Sequence, residues 1–209
     1  MRIFFHLILV FLLASNSIAQ SDSKLYKQSF GFDVDIPRVL TNHVFNSKMY
    51  GVGEIGATYD FLILKNIGIG IKYKYSFFQL NSKSFQQDIN GQFDSHFAGL
   101  SLIYVHSFGE SSYLKSGIHF GLSQLLVNAS TLNTVNYLDL SQTVTPEIGF
   151  YITKESFGSV GLILNYNIVD YVFDLQDLNQ NNILVSETPF LDKISWFGVG
   201  FKYEHLINN

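Results

Sequence analysis

Residues 67–78 read Ile-Gly-Ile-Gly-Ile-Lys-Tyr-Lys-Tyr-Ser-Phe-Phe. The odd positions are Ile67, Ile69, Ile71, Tyr73, Tyr75 and Phe77, and the even ones include Gly68, Gly70, Lys72, Lys74 and Ser76. Successive side chains of an extended strand point to opposite faces, so this period of two predicts a strand with one apolar face and one face of small or polar residues.

The same alternation recurs on both sides of this stretch. Upstream, residues 29–36 set Phe30, Phe32, Val34 and Ile36 against Gly31, Asp33 and Asp35, and Pro37 is expected to stop that strand. Residues 49–61 set Ile55, Ala57, Tyr59 and Phe61 against Glu54, Gly56, Thr58 and Asp60. Downstream, residues 94–106 place Ala98, Leu100, Leu102 and Tyr104 on the apolar face, although Phe97, Ile103 and Val105 fall on the other. Residues 113–124, 140–152, 159–168 and 193–204 continue the pattern. In residues 140–152, Pro146 predicts a bulge or a missing ladder bond.

The chain has 209 residues, 47% of them hydrophobic and 14% charged, which suits one domain with a large apolar surface. A formal net charge of -4 with no basic cluster argues against nucleic acid as a partner. With no cysteine there is neither a disulfide framework nor a thiolate metal site. Arg2, the apolar run 3–13 and Ser17-Ile18-Ala19 have the three parts of a secretory signal, so residues 1–19 are expected to be removed and residues 20–209 to form the mature domain.

Eight strands whose connections run long, short, long, short, long, short, long predict an all-β, eight-stranded antiparallel up-and-down transmembrane β-barrel, with both termini at the short-turn end. Backbone groups left unpaired in lipid cost several kcal/mol each, so the sheet must close. Gly31, Gly56, Gly68, Gly70, Gly117, Gly121, Gly149, Gly161, Gly198 and Gly200 all share the polar face. In a narrow barrel they make room for longer polar side chains, which assigns that face to the lumen and the apolar face to lipid. Tyr59, Phe61, Tyr104, Phe150, Phe201 and Tyr203 at one rim, with Tyr75, Phe77 and Tyr166 at the other, match interfacial girdles.

With its secretory signal, eight alternating strands and final run Gly198-Val199-Gly200-Phe201-Lys202-Tyr203, the chain resembles the small bacterial outer-membrane barrels of the OmpA/OmpX type. The resemblance implies outer-membrane lipid as the surroundings. It also implies the barrel-assembly machinery as a partner during insertion, through Gly198, Phe201 and Tyr203. Trp196 stands where that signal prefers a polar residue, and residues 204–209 follow where many such proteins stop on an aromatic.

The lumen face carries Asp33, Asp35, Glu54, Lys72, Lys74, Lys115, His119, Glu147, Lys202 and Glu204, which are expected to form a structural polar network. Hairpin folding pairs Glu54 with Lys74 and Lys115 with Glu147. Because eight strands leave a filled interior, packing is the expected role of these charges, and transport is not. No residue is assigned a catalytic, cofactor-binding or metal-ligating role. His119 shares a face with Ser123 but has no evident carboxylate to orient it, and His106 and Ser107 face opposite ways. The expected function is structural or surface-interacting, by a monomer whose connection 169–192 offers a surface for an extracellular partner. Two alternatives stay open: an outer-membrane lipid-modifying enzyme of the lipid A deacylase or acyltransferase type, and a soluble periplasmic lipocalin-like barrel with its apolar face inside.

Overall fold

The computed structural model describes residues 26–81, 90–109, 111–130, 135–138, 140–154, 158–173, 177 and 193–207. The signal segment 1–19 lies outside the described residues, as does most of the connection 169–192. The elements in chain order are β1 (Gln28–Thr41), α1 (His43–Lys48), β2 (Met49–Leu62), β3 (Ile67–Leu80), β4 (Gly91–Ser107), β5 (Ser112–Ala129), β6 (Asn136–Tyr137), β7 (Ser141–Lys154), β8 (Gly158–Val169) and β9 (Ser195–Ile207). Each long strand pairs antiparallel with its neighbours, and β1 pairs with both β2 and β9, which closes the ring. β6 is a two-residue addition to the loop end of β5. The wall is therefore a closed eight-stranded up-and-down barrel.

The faces lie as the alternation requires. Outward, Ile71, Leu100 and Phe201 keep 58%, 67% and 66% of their surface exposed, while inward Lys74 and Glu204 keep 1% and 0%. A wall that is apolar outside and charged inside reverses a soluble ligand-carrying barrel and matches a strand bundle that faces lipid. Burying the unpaired ends of an open sheet there would leave backbone groups unsatisfied, and closure removes that cost. In β4, Leu100 and Leu102 face out, whereas Phe97, Ile103 and Val105 are buried in the interior.

Several sequence expectations are corrected. Pro37 does not stop the first strand: β1 runs to Thr41, with Pro37 opposite Gly198 of β9. The ladder to β2 ends two residues earlier, at Asp35 opposite Glu54, so the absent proline N–H interrupts little. β9 continues through Ile207, so Glu204, His205, Leu206 and Ile207, expected to trail the last strand, belong to it. β5 runs to Ala129, past the expected strand end at Gln124. At Pro146 the register with β5 is unbroken, with Ile118 opposite the proline. The ladder to β8 lacks pairs between Val144–Ile168 and Glu147–Asn165, so the expectation at Pro146 holds as a missing ladder bond without a bulge.

The short turns are tight. The amides of Ile63 and Leu64 both donate to the Ile67 carbonyl at 3.0 Å, and Gly109 turns the β4–β5 hairpin with a φ of 80° that only glycine adopts without strain. The long connection after β1 holds α1, which strand periodicity did not reveal. Asn42 precedes it with a φ of 63°, and its side chain accepts from the Phe45 amide at 2.9 Å.

An arginine in the middle of the apolar belt opposes this wall directly. Ile71→Arg is expected to cost roughly 2 to 4 kcal/mol and to abolish the compact, heat-sensitive mobility of the folded barrel on detergent gels; unchanged mobility would contradict the lipid-facing assignment.

Candidate functional site

The interior has three storeys, and the middle one carries the chemistry. Among the described residues six carboxylates (Asp33, Asp35, Glu54, Asp60, Glu147, Glu204) and four lysines (Lys72, Lys74, Lys115, Lys202) are buried there. Taking charges out of water costs several kcal/mol per ion unless each finds opposite charge and hydrogen bonds. The arrangement answers the charge part of that demand by placing every lysine against two carboxylates, while neither oxygen of Asp33 receives a hydrogen bond among the described residues.

Lys72 contacts Glu147 closely and lies 3.9 Å from Asp33. Glu147 also receives Lys202 at 3.2 Å, Lys202 lies 3.6 Å from Glu204, and Glu204 accepts from Lys115, which donates to Asp60 as well, both at 2.6 Å. Asp33, Lys72, Glu147, Lys202, Glu204, Lys115 and Asp60 thus form one continuous chain of alternating sign, from β1 through β3, β7, β9 and β5 to β2. A second set sits nearer the long loops. Lys74 donates to Asp35 at 2.7 Å and to Glu54 at 3.2 Å, Asn165 donates to Asp35 at 2.8 Å, and the Trp196 indole N–H donates to Glu54 at 2.7 Å.

All ten sequence-selected residues are buried inside the barrel, and the structure brings nine of them into these two sets, with His119 beside Glu147. The Glu54–Lys74 pair forms. The Lys115–Glu147 pair does not, because Lys115 stands opposite Gly149 and its side chain spans the lumen instead of following the wall. Asp60, Trp196, Asn165 and Ser101 were missed as partners. Alternation placed Asp60 on the inner face, but which cation crosses to it depends on the barrel's stagger, which local spacing does not encode.

Glycines admit the carboxylates. A Cβ on Gly56 would lie 2.3 Å from an Asp33 oxygen, on Gly70 2.0 Å from Asp60, and on Gly200 2.2 Å from Asp35. Each glycine is the cross-strand partner of the aspartate it accommodates. The carboxylates therefore lean over bare backbone on the neighbouring strand.

His119 also has different neighbours from those expected. Its Nδ1 shares a 2.6 Å hydrogen bond with Ser101, its cross-strand partner on β4, and its Nε2 lies 3.6 Å from Glu147. Ser123 instead accepts from Thr143 at 2.7 Å. Hydroxyl, imidazole and carboxylate line up in the order of a hydrolytic triad, but Glu147 is already held by two lysines and Ser101 is 4% exposed. That geometry orders a buried polar cluster and gives a substrate no approach to the hydroxyl. Among the described residues no group of three or more His, Cys, Asp or Glu side chains is placed to hold a metal ion.

Apolar clusters lie at both ends. At the long-loop end, Phe45 of α1 packs against Phe78, Phe93 and Phe173 with ring centroids 5.2, 4.9 and 5.4 Å away, and Trp196 packs on Phe78 at 5.1 Å. Asn42 ties the two loops together by donating to the Phe173 carbonyl at 3.1 Å. At the short-turn end, Tyr113 stacks on Tyr151 at 4.8 Å with Tyr26 beside it at 5.8 Å, among Leu62, Ile103, Val105 and Ile163. Burial pushes the Tyr26 phenol up to about 12, so it stays neutral.

Removing one partner strands the others. Lys202→Met leaves Glu147 and Glu204 short of a cation and is expected to cost about 3 to 5 kcal/mol, read as a lowered midpoint of urea unfolding in lipid vesicles. Gly56→Ala should lower the same midpoint by displacing the Asp33 carboxylate, and an unchanged midpoint in both would contradict the packing described.

No family model and no curated protein matches the sequence. Solved structures do resemble the fold. Neisserial surface protein A (NspA) superposes with a TM-score of 0.54 at 10% identity, over 84% of this chain and 96% of that one. The outer membrane protein OprG of Pseudomonas aeruginosa matches at 10% identity over 88% of this chain and 100% of its own, with a TM-score of 0.49. Ail, the attachment invasion locus protein of Yersinia pestis, matches at 10% identity over 87% and 99%, with a TM-score of 0.48. Closed ring, apolar exterior, short and long connections in alternation and the superposition on NspA agree: the chain has the fold of the small eight-stranded outer-membrane barrels of the OmpA/OmpX type.

Proposed function

We propose that this chain is a monomeric resident of the bacterial outer membrane with a structural or surface-interaction role and no open pore. The observation that carries this reading is the interior: a salt-bridged middle storey between two aromatic closures, with Phe45 and Phe93 wholly buried above and Tyr151 and Val105 wholly buried below. Conduction needs a continuous wet path, and side chains that pack to zero exposure at both ends support a reading without one. Export through a cleaved segment 1–19 and insertion by the barrel-assembly machinery through Gly198, Phe201 and Tyr203 belong to the same reading. So does a partner reached through the loops at the Phe45 and Phe173 end.

The lipid-modifying alternative needs a nucleophile at the lipid-facing surface, and the triad-like hydroxyl of Ser101 lies inside the barrel. The soluble alternative needs the two faces of the wall exchanged.

The test is electrical. Protein folded into a planar bilayer is expected to carry no steady ohmic current, and Phe45→Ala, which costs about 3 to 5 kcal/mol of packing, is expected to add at most brief openings. A steady single-channel conductance from the unmodified chain would overturn the closed-interior reading.

A further inference from the structure

The polar groups left without a partner inside the barrel are not scattered. Among the described residues the Ser29 and Thr58 hydroxyl oxygens, both Asp33 oxygens, one oxygen of Asp35 and one of Asp60 are buried without a hydrogen-bond partner. These five residues are at most 2% exposed, and all belong to β1 or β2. The register sets Ser29 opposite Asp60, Gly31 opposite Thr58, Asp33 opposite Gly56 and Asp35 opposite Glu54, so they occupy four successive inward rows of one strand pair. The run from Ser29 to Asp35 covers about 20 Å along the strand. The Tyr26 hydroxyl, just ahead of β1, has no partner either.

Unpaired buried groups are costly, and the two kinds stranded here are complementary: the carboxylates accept, while each hydroxyl has a proton to give. They do not meet directly. Thr58 Oγ1 leans over Gly31 on β1, where a Cβ would lie 2.7 Å from it, and Asp33 leans over Gly56 on β2, with its oxygens 2.3 and 2.6 Å from such a Cβ. Donor and acceptor are left on adjacent rows with no bond between them. A ligand that joins them has to donate to carboxylates and accept from hydroxyls. An added cation is opposed, because each carboxylate already has an ammonium: Lys72 lies 3.9 Å from Asp33, Lys74 donates to Asp35 at 2.7 Å and Lys115 to Asp60 at 2.6 Å. An anion is opposed by the carboxylates themselves. The apolar clusters above and below favour the smallest neutral molecule that both donates and accepts, which is water.

The two ends of the run differ. Toward the long loops it stops at satisfied groups, since Glu54 accepts from Lys74, Ser76 and the Trp196 indole, and Trp196 packs on Phe78. Toward the short turns it continues through Ser29 and Asp60 to Tyr26, whose ring contacts Tyr113 and the Lys115 ammonium at 5.8 and 5.9 Å.

We infer that the inward β1–β2 wall from Ser29 to Asp35 binds a file of water molecules, entered from the short-turn end past Tyr26 and blind at the long-loop end. Water there bridges the Thr58 hydroxyl to Asp33 and the Ser29 hydroxyl to Asp60, completing the hydrogen bonding that the lysines leave undone. The blind end rests on the closed interior proposed above, which the bilayer recording tests separately.

The experiment has two parts, both on the full chain folded in detergent. A high-resolution crystal structure is expected to show water within hydrogen-bond distance of Thr58 Oγ1 and of Asp33, and a rubidium soak to add no anomalous peak there. Dry groups, or a rubidium peak, would overturn the water site. For the entrance, the absence of cysteine makes Thr58→Cys a single reporter, read by mass spectrometry after exposure to a small neutral thiosulfonate. Adding Tyr26→Ala is expected to speed its labelling about tenfold, by populating an open short-turn end. Adding Phe45→Ala at the long-loop end is expected to leave the rate unchanged. Heat-sensitive gel mobility confirms folding, and Ser29→Cys serves as the reporter if Thr58→Cys does not fold. Labelling that Phe45→Ala accelerates, or that Tyr26→Ala leaves unmoved, would overturn the entrance.

Discussion

The structure depends on charge balance among buried side chains. Closing eight strands in lipid satisfies the backbone, but it turns every second side chain into a narrow core, and here many of those side chains are ionised. A buried ion without a partner costs more than most single packing contacts return. The solution is geometric: each lysine lies against two carboxylates, and Lys72 and Lys115 reach strands that they do not touch through the sheet. Lys72 joins β3 to β7, and Lys115 joins β5 to both β2 and β9.

Space and sign are solved together. Asp33, Asp35 and Asp60 each sit over a cross-strand glycine, and the room released there is what brings their oxygens within reach of long cations. The aromatic clusters flank the middle storey, where a low dielectric strengthens paired charges and penalises unpaired ones. Phe45 and Phe173 come from loops, so the long connections contribute to the closed interior as well as to the outer surface.

Most of the wall was legible in the sequence because strand alternation is a local property. Phe30, Phe32 and Val34 had to share a face whatever the rest of the chain did, and the inward glycines marked that face as the crowded one. What was not legible depended on distance across the barrel. Lys115 was matched to the nearest carboxylate along its hairpin, whereas the stagger of the closed ring presents Asp60 and Glu204 to it. Phe97, Ile103 and Val105 looked like noise in β4 because alternation allows only one apolar face; they belong to the interior's apolar parts, with Ile103 and Val105 in the short-turn closure. α1 escaped because six residues give too little periodicity, and its anchor Phe45 reads as an isolated aromatic in a polar loop.

The chain has no native cysteine, so single spin labels can be placed without background. Labels at 71, 100, 162 and 199 in lipid vesicles should collide freely with oxygen and be shielded from a water-soluble nickel chelate. Strong collision with the chelate at those positions would place the oily face in water and contradict the account.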